Sequence, residues 1–393
     1  MSPPRAAGSA AATDAEPITL AELNRATLAR QHLLERTTDS LQAVTERLVG
    51  LQSQEPTTAY PGLWSRVEGF AFADLAAALE DRSVVRLLLM RSTVHLVTAR
   101  DALGLRGPVQ PPLDREYRSV RSKHLPGIDL VEAGALTLEA LAEGPKKPKE
   151  LGDRLAARWP DLPREHLAQL PRLHQSVVQL PPRGIWGVGG AVVYALLDEW
   201  LDAPEQPYPL EEIIRRYLAA FGPATVKDAQ QWSGLTRLKP VFDTLGDELV
   251  CFTGPGGELL YDLPDAPRPP ADTPAPVRLL PEWDNLLISH VDRTRVLAED
   301  RRQAMVATTN CYGASALVDG MVAAHTKISA PRKKADHATF DVFPYEKLTK
   351  ASASAIETEA HALLTAMGDG YAEGDVVIHP AGSGFPGYER PKR

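Results

Sequence analysis

VVRLLLMRSTVHLVTA, residues 84–99, is the stretch on which the fold turns. It is apolar and β-branched on both sides of a polar break at Arg91 and Ser92, so it reads as two strands of a hairpin. Helical patterns precede it. Residues 18–36, ITLAELNRATLARQHLLER, carry Leu20, Leu23, Ala26, Leu28, Leu33 and Leu34 at helical spacing. Thr37, Thr38 and Asp39 supply a break and an N-cap. SLQAVTERLVGLQSQ, residues 40–54, then reads as a second helix stopped by Pro56, and FADLAAALED, 72–81, as a third. Three helices and a hairpin describe a winged helix-turn-helix.

The same order recurs twice. Residues 130–143, 144–159 and 163–180 give three helical stretches, and PPRGIWGVGGAVVYAL, 181–196, a wing-like turn and strand. PLEEIIRRYLAAFGP (209–223), TVKDAQQWSGL (225–235) and LKPVFDTLGDEL (238–249) repeat the helices. LVCFTGPGGELLYDLP, 249–264, closes that unit as a hairpin turning at Gly254–Gly257. These are repeats of structure pattern, with little identity letter by letter. A Pro-rich stretch, PDAPRPPADTPAP, reads as a stiff linker. Beyond it VRLLPEWDNLLISH, RQAMVATTN, SALVDGMVAAHTKISA and ATFDVFPYE read as short strands, and ASAIETEAHALLTAMG (353–368) as a closing helix.

The expected architecture is therefore α+β: three tandem winged helix-turn-helix units and a small C-terminal β-barrel-like domain. The boundaries are 1–16 for a disordered tail, 17–128, 129–206 and 207–265 for the three units, and 266–276 for the linker. Residues 277–370 form the β domain and 371–393 a flexible tail. A chain of 393 residues suits about two to four domains.

Composition narrows the function. Hydrophobic residues are 44% and charged residues 24%, as in a soluble globular protein, and no apolar run is long enough to span a bilayer. Two cysteines cannot make a disulfide framework, and a reducing cytoplasm is the simple reading. Net charge is −8, which argues against uniform coating of nucleic acid. From Arg82 to Lys123, however, nine Lys and Arg stand against three acids. Such a window is either a backbone-gripping face for DNA or a solvated surface.

The strings LVGLQSQEP, VVRLLLMRSTVHLV, QLPPRGIWG, RYLAAFGPATVKDAQQWSGL, LYDLPDAPRP and LLPEWDNLLISHVDRTRVL resemble the winged-helix DNA glycosylase family of AlkZ and its YcaQ relatives. The resemblance runs from about residue 18 to about residue 368. It implies a C-shaped cradle for double-stranded DNA. It also implies a monofunctional glycosylase that removes N-alkylated purines, including N7-alkylguanine and unhooked crosslinks, with no cofactor. The family's Gln-x-Gln motif falls on Gln52 and Gln54. Its middle position, often aliphatic in the family, is Ser53 here and is expected to face away. On spacing alone Gln52 and Gln54 are either solvated helix-end amides or a pair aimed at a ligand.

Two amides suit this chemistry. An N7-alkylated guanine already carries a positive charge, so it leaves without a strong general acid. A carbonyl dipole can hold the water and stabilise a cationic sugar. Glu55, beside the pair, is either a base or a solvated acid. Arg91, Thr93 and His95 are candidate phosphate contacts, as are Lys146, Lys147 and Lys149 at the second unit's helix-turn-helix. His290, Asp292 and Arg293 mark either a loop set by Asp–Arg pairing or a DNA-facing loop. The hairpin 318–334, with His325 and Lys327, is a candidate for insertion into DNA, and Arg332, Lys333 and Lys334 would add charge. Trp64 and Trp186 read as core or stacking groups. No metal spacing and no Gly-rich phosphate loop is legible. The expected protein is a cytoplasmic (nucleoid) monomer acting on DNA with alkylated purines, in repair or in self-resistance to a genotoxic natural product. A non-catalytic winged-helix regulator is the alternative, and a protein-interaction scaffold a third.

Overall fold

The computed structural model describes residues 15–309, 312–329, 337–368 and 370–384. The expected N-terminal tail up to residue 14, and Arg332, Lys333 and Lys334, lie outside them. Helices and sheets both contribute, so the fold is α+β.

The first segment runs β1 (Glu16–Pro17), α1 (Leu20–Arg30), α2 (Leu41–Arg47), β2 (Leu51–Gln52), α3 (Ala59–Trp64) and α4 (Phe72–Glu80). The hairpin β3 (Val84–Leu88) and β4 (Val94–Thr98) follows, then α5 (Ala99–Leu105) and α6 (Gln110–Glu116). The turn at Arg91 and Ser92 is where the sequence put it. Both residues are left-handed, with φ of 56° and 57°.

The second helix departs from expectation. It ends at Arg47, not at Gln54. Val49 and Gly50 take φ of 53° and 88°, Gly50 N–H donates to Thr45 O at 2.9 Å and Val49 N–H to Glu46 O at 3.1 Å. This left-handed C-cap turns the chain away from the helix. The next residues then pair with β4, Leu51 opposite Leu96 and Gln52 opposite His95. Gly50 is needed twice over. Its φ favours glycine, and a Cβ there would come within 2.5 Å of Val97 Cγ1 and 2.9 Å of Leu96 O.

The second segment gives α7 (Leu130–Ala142), α8 (Pro148–Arg158), α9 (Arg164–Leu167) and α10 (Leu170–His174). After these come β5 (Val177–Gln179), β6 (Tyr194–Leu196) and α11 (Leu197–Leu201). Its strands join those of the first segment in one sheet of order β2-β4-β3-β5-β6. The third segment is α12 (Leu210–Phe221), α13 (Val226–Ser233), α14 (Lys239–Leu245), β7 (Val250–Thr253) and β8 (Leu259–Asp262), with β1 parallel to β7.

The C-terminal segment contains β9 (Arg278–Leu280), α15 (Asn285–Ile288), α16 (Glu299–Thr309), β10 (Ser315–Val318), β11 (Met321–Ser329), β12 (Thr339–Pro344), α17 (Lys350–Met367) and β13 (Asp375–Ile378). The sheet order is β13-β12-β11-β10-β9, open at both edges, so it is not a closed barrel. RQAMVATTN, expected as a strand, is helical through Thr309 within α16, its last residue lying outside the described ones; Glu299 and Asp300 occupy the first turn and Glu299 holds Arg302. The stretch from residue 371, expected as a tail, supplies β13, whose backbone pairs in parallel with β12.

Helix α1 bolts distant parts together. Asn24 Nδ2 donates to Arg295 O and Gly320 O, and Arg25 pairs with Asp319. On its other end Arg30 makes two 2.7 Å bonds to Asp262, both side chains fully buried, and Gln31 Nε2 donates to Ala220 O.

Candidate active site

The Gln52–Gln54 stretch lies on the edge of the first sheet and is held on every side. Ser53 N–H donates to Val94 O at 2.8 Å, and Thr58 Oγ1 to Gln52 O at 3.3 Å. Upstream, Asn285 Nδ2 donates to Gly50 O at 2.6 Å. Ser53 is fully buried and faces Arg86, whose Nη2 donates to Ser53 O at 2.7 Å and Nε to Ser53 Oγ at 3.3 Å. The third arm of that guanidinium donates to Gln179 Oε1 of β5 at 2.9 Å. Ser53 therefore turns away from solvent, and it does so as the partner of a buried cation. Burial first, then the charge of Arg183, lowers the Arg86 pKa to about 10.

The two amides take different partners at the same hairpin end. Gln52, 7% exposed, accepts at Oε1 from Arg91 Nη2 at 2.8 Å. Gln54, exposed, accepts at Oε1 from Val94 N–H at 3.2 Å. Each carbonyl keeps one lone pair and each amide its N–H groups. Gln54 opens onto a cleft of about 920 Å³, whereas Gln52 lines a separate small pocket with Leu51, Trp283 and Asn285. The cleft is lined by Arg91 and Thr93 from the hairpin turn, Arg115 from α6, Arg172 from α10 and Lys227 from α13. Glu116 is the acid among them, and Arg172 lies 3.7 Å from it. Among the described residues Arg91, Arg115 and Lys227 have no carboxylate in ion-pair range.

The structure sorts the remaining candidates. His95 is fully buried, so it does not reach phosphate. Its Nδ1 lies 2.9 Å from Thr93 O and its Nε2 3.5 Å from Arg91 Nη2. Burial, then the neighbouring Arg91, drives its pKa down to about 3, so it is neutral. Thr93 lines the cleft while its hydroxyl donates to Met90 O. Lys146 pairs with Glu143 and Lys149 with Asp153 on the surface, and Lys147 is exposed. None of the three lines the cleft. His325 is buried in β11 although it shares a strand face with the exposed Lys327, because Gly313 packs against its ring; neither lines the cleft. The basic window is only partly a surface: Arg86 and Arg106 are buried, and Arg115 faces the cleft. The loop after α15 is held by main-chain bonds, Thr294 N–H to Asp292 Oδ1 and Arg293 Nε to Leu287 O. Trp64 is buried, and Trp186 packs against Tyr60, Phe72 and Tyr371.

Sequence reasoning missed Arg86, Asn285 and Lys227. A charge inside the apolar run Val84–Leu88 was the one available signal for Arg86, since a buried cation demands partners. Glu282 also lies near the motif. Burial, then the like charge of Glu55, raises its pKa. Among the described residues no three His, Cys, Asp or Glu are placed to hold a metal.

The family profile described as DNA glycosylase AlkZ-like matches residues 45–366. This chain belongs to that family. The AlkZ-like chain is 23% identical to an interstrand DNA cross-link repair glycosylase of Streptomyces sahachiroi over 365 residues, covering 86% of this chain and 94% of the relative. Its fold is similar to the solved structure of the DNA glycosylase AlkZ of the same organism. The TM-score is 0.73 at 21% identity, with 92% of this chain and all of that chain covered. The AlkZ-like chain is thus a DNA glycosylase. No helix among its described residues is long and apolar enough to cross a membrane.

Proposed function

We propose that this glycosylase hydrolyses the N-glycosidic bond of N-alkylated purines in duplex DNA, N7-alkylguanine above all, acting as a monomer. The observation that carries the reading is the amide pair, fixed at a sheet edge beside a cleft where, among the described residues, Arg115 and Lys227 have no carboxylate partner. Those cations fit the DNA backbone, since phosphates would replace the counter-charges that the protein does not supply. The three helix-and-hairpin segments act as winged helices around the duplex.

The step balances simply. The C1′–N9 bond breaks and its electron pair goes to the base, which was cationic and leaves neutral. Water adds its oxygen to C1′, and its proton passes to solvent. Gln52 and Gln54 hold that water by their remaining lone pairs and set carbonyl dipoles against the cationic sugar. The amide pair itself offers no amine to trap the sugar, which favours base release without strand cleavage. Labile N7 cations also arise in bulky adducts and in crosslinks, so unhooking of crosslinks belongs to the same chemistry. Either general alkylation repair or self-resistance to an alkylating natural product uses this reaction.

The test is an oligonucleotide duplex carrying 7-methylguanine, incubated with wild-type protein and with Gln52→Ala/Gln54→Ala. Alkali-dependent cleavage in wild type alone supports the reading. Duplex binding with no base release by wild type refutes it and leaves a DNA-binding protein.

A further inference from the structure

We propose that Arg91 is a positioning residue for Gln52, held in place by His95, and that its guanidinium sets the direction in which the Gln52 amide acts. The inference rests on the proposed base-release reaction and adds a residue to it.

Four observations converge. First, Arg91 Nη2 donates to Gln52 Oε1 at 2.8 Å. A guanidinium has only donors, so this contact fixes the orientation of the amide, with Oε1 on Arg91 and its second lone pair left for the water. Second, the guanidinium is anchored elsewhere. Its Nη1 donates to Trp232 O of α13, and Nη2 lies 3.5 Å from His95 Nε2. His95 Nδ1–H donates to Thr93 O, which leaves Nε2 as an acceptor and points it at Arg91. Third, the backbone is locked. Arg91 and Ser92 are both left-handed, and Gly234 packs on them so closely that a Cβ there would lie 3.1 Å from Arg91 N. Fourth, no carboxylate neutralises this cation among the described residues, and burial lowers its pKa to about 10. An ion pair held for stability alone would bring its counter-ion. This cation brings instead a carbonyl, an imidazole and the amide of the motif. The role differs from a phosphate contact: the side chain points along the sheet edge to Gln52.

The experiment uses the full chain and the 7-methylguanine duplex, with duplex affinity and single-turnover release at saturating protein measured separately. Arg91→Ala is expected to lose about a hundredfold in release, the size of an error of about 1 Å in placement. Its affinity changes far less, and added guanidinium restores part of the rate. Arg91→Lys does not restore it, because one ammonium cannot span Trp232 O, Gln52 Oε1 and His95 Nε2. A second variant needs no change at Arg91. Gln52→Glu would meet the guanidinium with a carboxylate, so it is expected to raise the melting temperature.

Release by Arg91→Ala at the wild-type rate under saturation overturns the inference while the reaction itself stands. So does a loss that is wholly one of affinity and insensitive to guanidinium, or a lower melting temperature for Gln52→Glu. A wild-type protein that releases no base refutes the reaction and this inference together.

Discussion

Gly50→Ala is the sharpest perturbation that the structure offers, because Gly69→Ala is its matched control. Both glycines have positive φ, 88° and 68°. An L-residue in the left-handed region costs about 1–2 kcal/mol, and both variants carry that cost. Only Gly50 is also confined. Its Cβ would stand 2.5 Å from Val97 Cγ1 and 2.9 Å from Leu96 O, whereas nothing lies within 4 Å of the position at Gly69. Val97 is fully buried and Leu96 O belongs to the β4 backbone, so neither neighbour moves freely. Relief to an ordinary carbon contact near 3.5 Å moves the strand by about 1 Å. Overpacking of this kind costs about 1–3 kcal/mol beyond the control. Gln52 sits two residues downstream, so the same displacement is expected to slow base release about a hundredfold. Urea unfolding and single-turnover release from the 7-methylguanine duplex measure the two effects side by side. If Gly50→Ala is no less stable than Gly69→Ala, or releases base at the same rate, the account of how the motif is positioned is wrong.

Two further outcomes follow from the charges. Burial leads the lowering of the His95 and His290 pKa values to about 3 and of His325 to about 4. The unfolded chain binds those protons first, near pH 6.5, so stability is lost as pH falls from about 6.5 towards 4, by about 1.4 kcal/mol per pH unit for each histidine. Urea midpoints between pH 7 and 4.5 check this, and His325→Gln is expected to give the shallower slope. At the cleft, Lys227→Ala is expected to weaken duplex binding and to reduce the slope of log affinity against log salt by about 0.9. Release at saturating protein stays at the wild-type rate, and an unchanged slope would place the DNA elsewhere.

Much of this was written locally. The β3–β4 hairpin was legible because β-branched runs flank a polar break, whereas Pro56 did not mark the end of the second helix, which stops at Arg47. Strand β2 was not legible. Two residues cannot show a period, and what makes them a strand is their pairing with Leu96 and His95, more than forty residues on. Gly50 was the local sign that the helix stops early, yet a helical reading of Leu48 and Leu51 overrides it. Period-two alternation placed His95 and His325 on strands but does not show what covers a face, and both are buried, His325 under Gly313 on the face that also carries the exposed Lys327. The partners of Ser53 and Gln52, Arg86 and Arg91, come from tertiary packing alone. The shared sheet of the first two segments likewise leaves no mark in a pattern read segment by segment.

Helix α1 has a consequence for how the molecule is made. Its Arg30 is synthesised 232 residues before Asp262, the acid that neutralises it. Ribosomes add about 5–20 residues per second, so the guanidinium waits about 10–50 s for its counter-ion. Until then α1 has neither the carboxylate that Arg30 needs nor the carbonyls of Arg295 and Gly320 that Asn24 binds. The helix that holds the finished protein together is therefore among the last of its pieces to settle, and a nascent chain halted before Asp262 carries it unlatched.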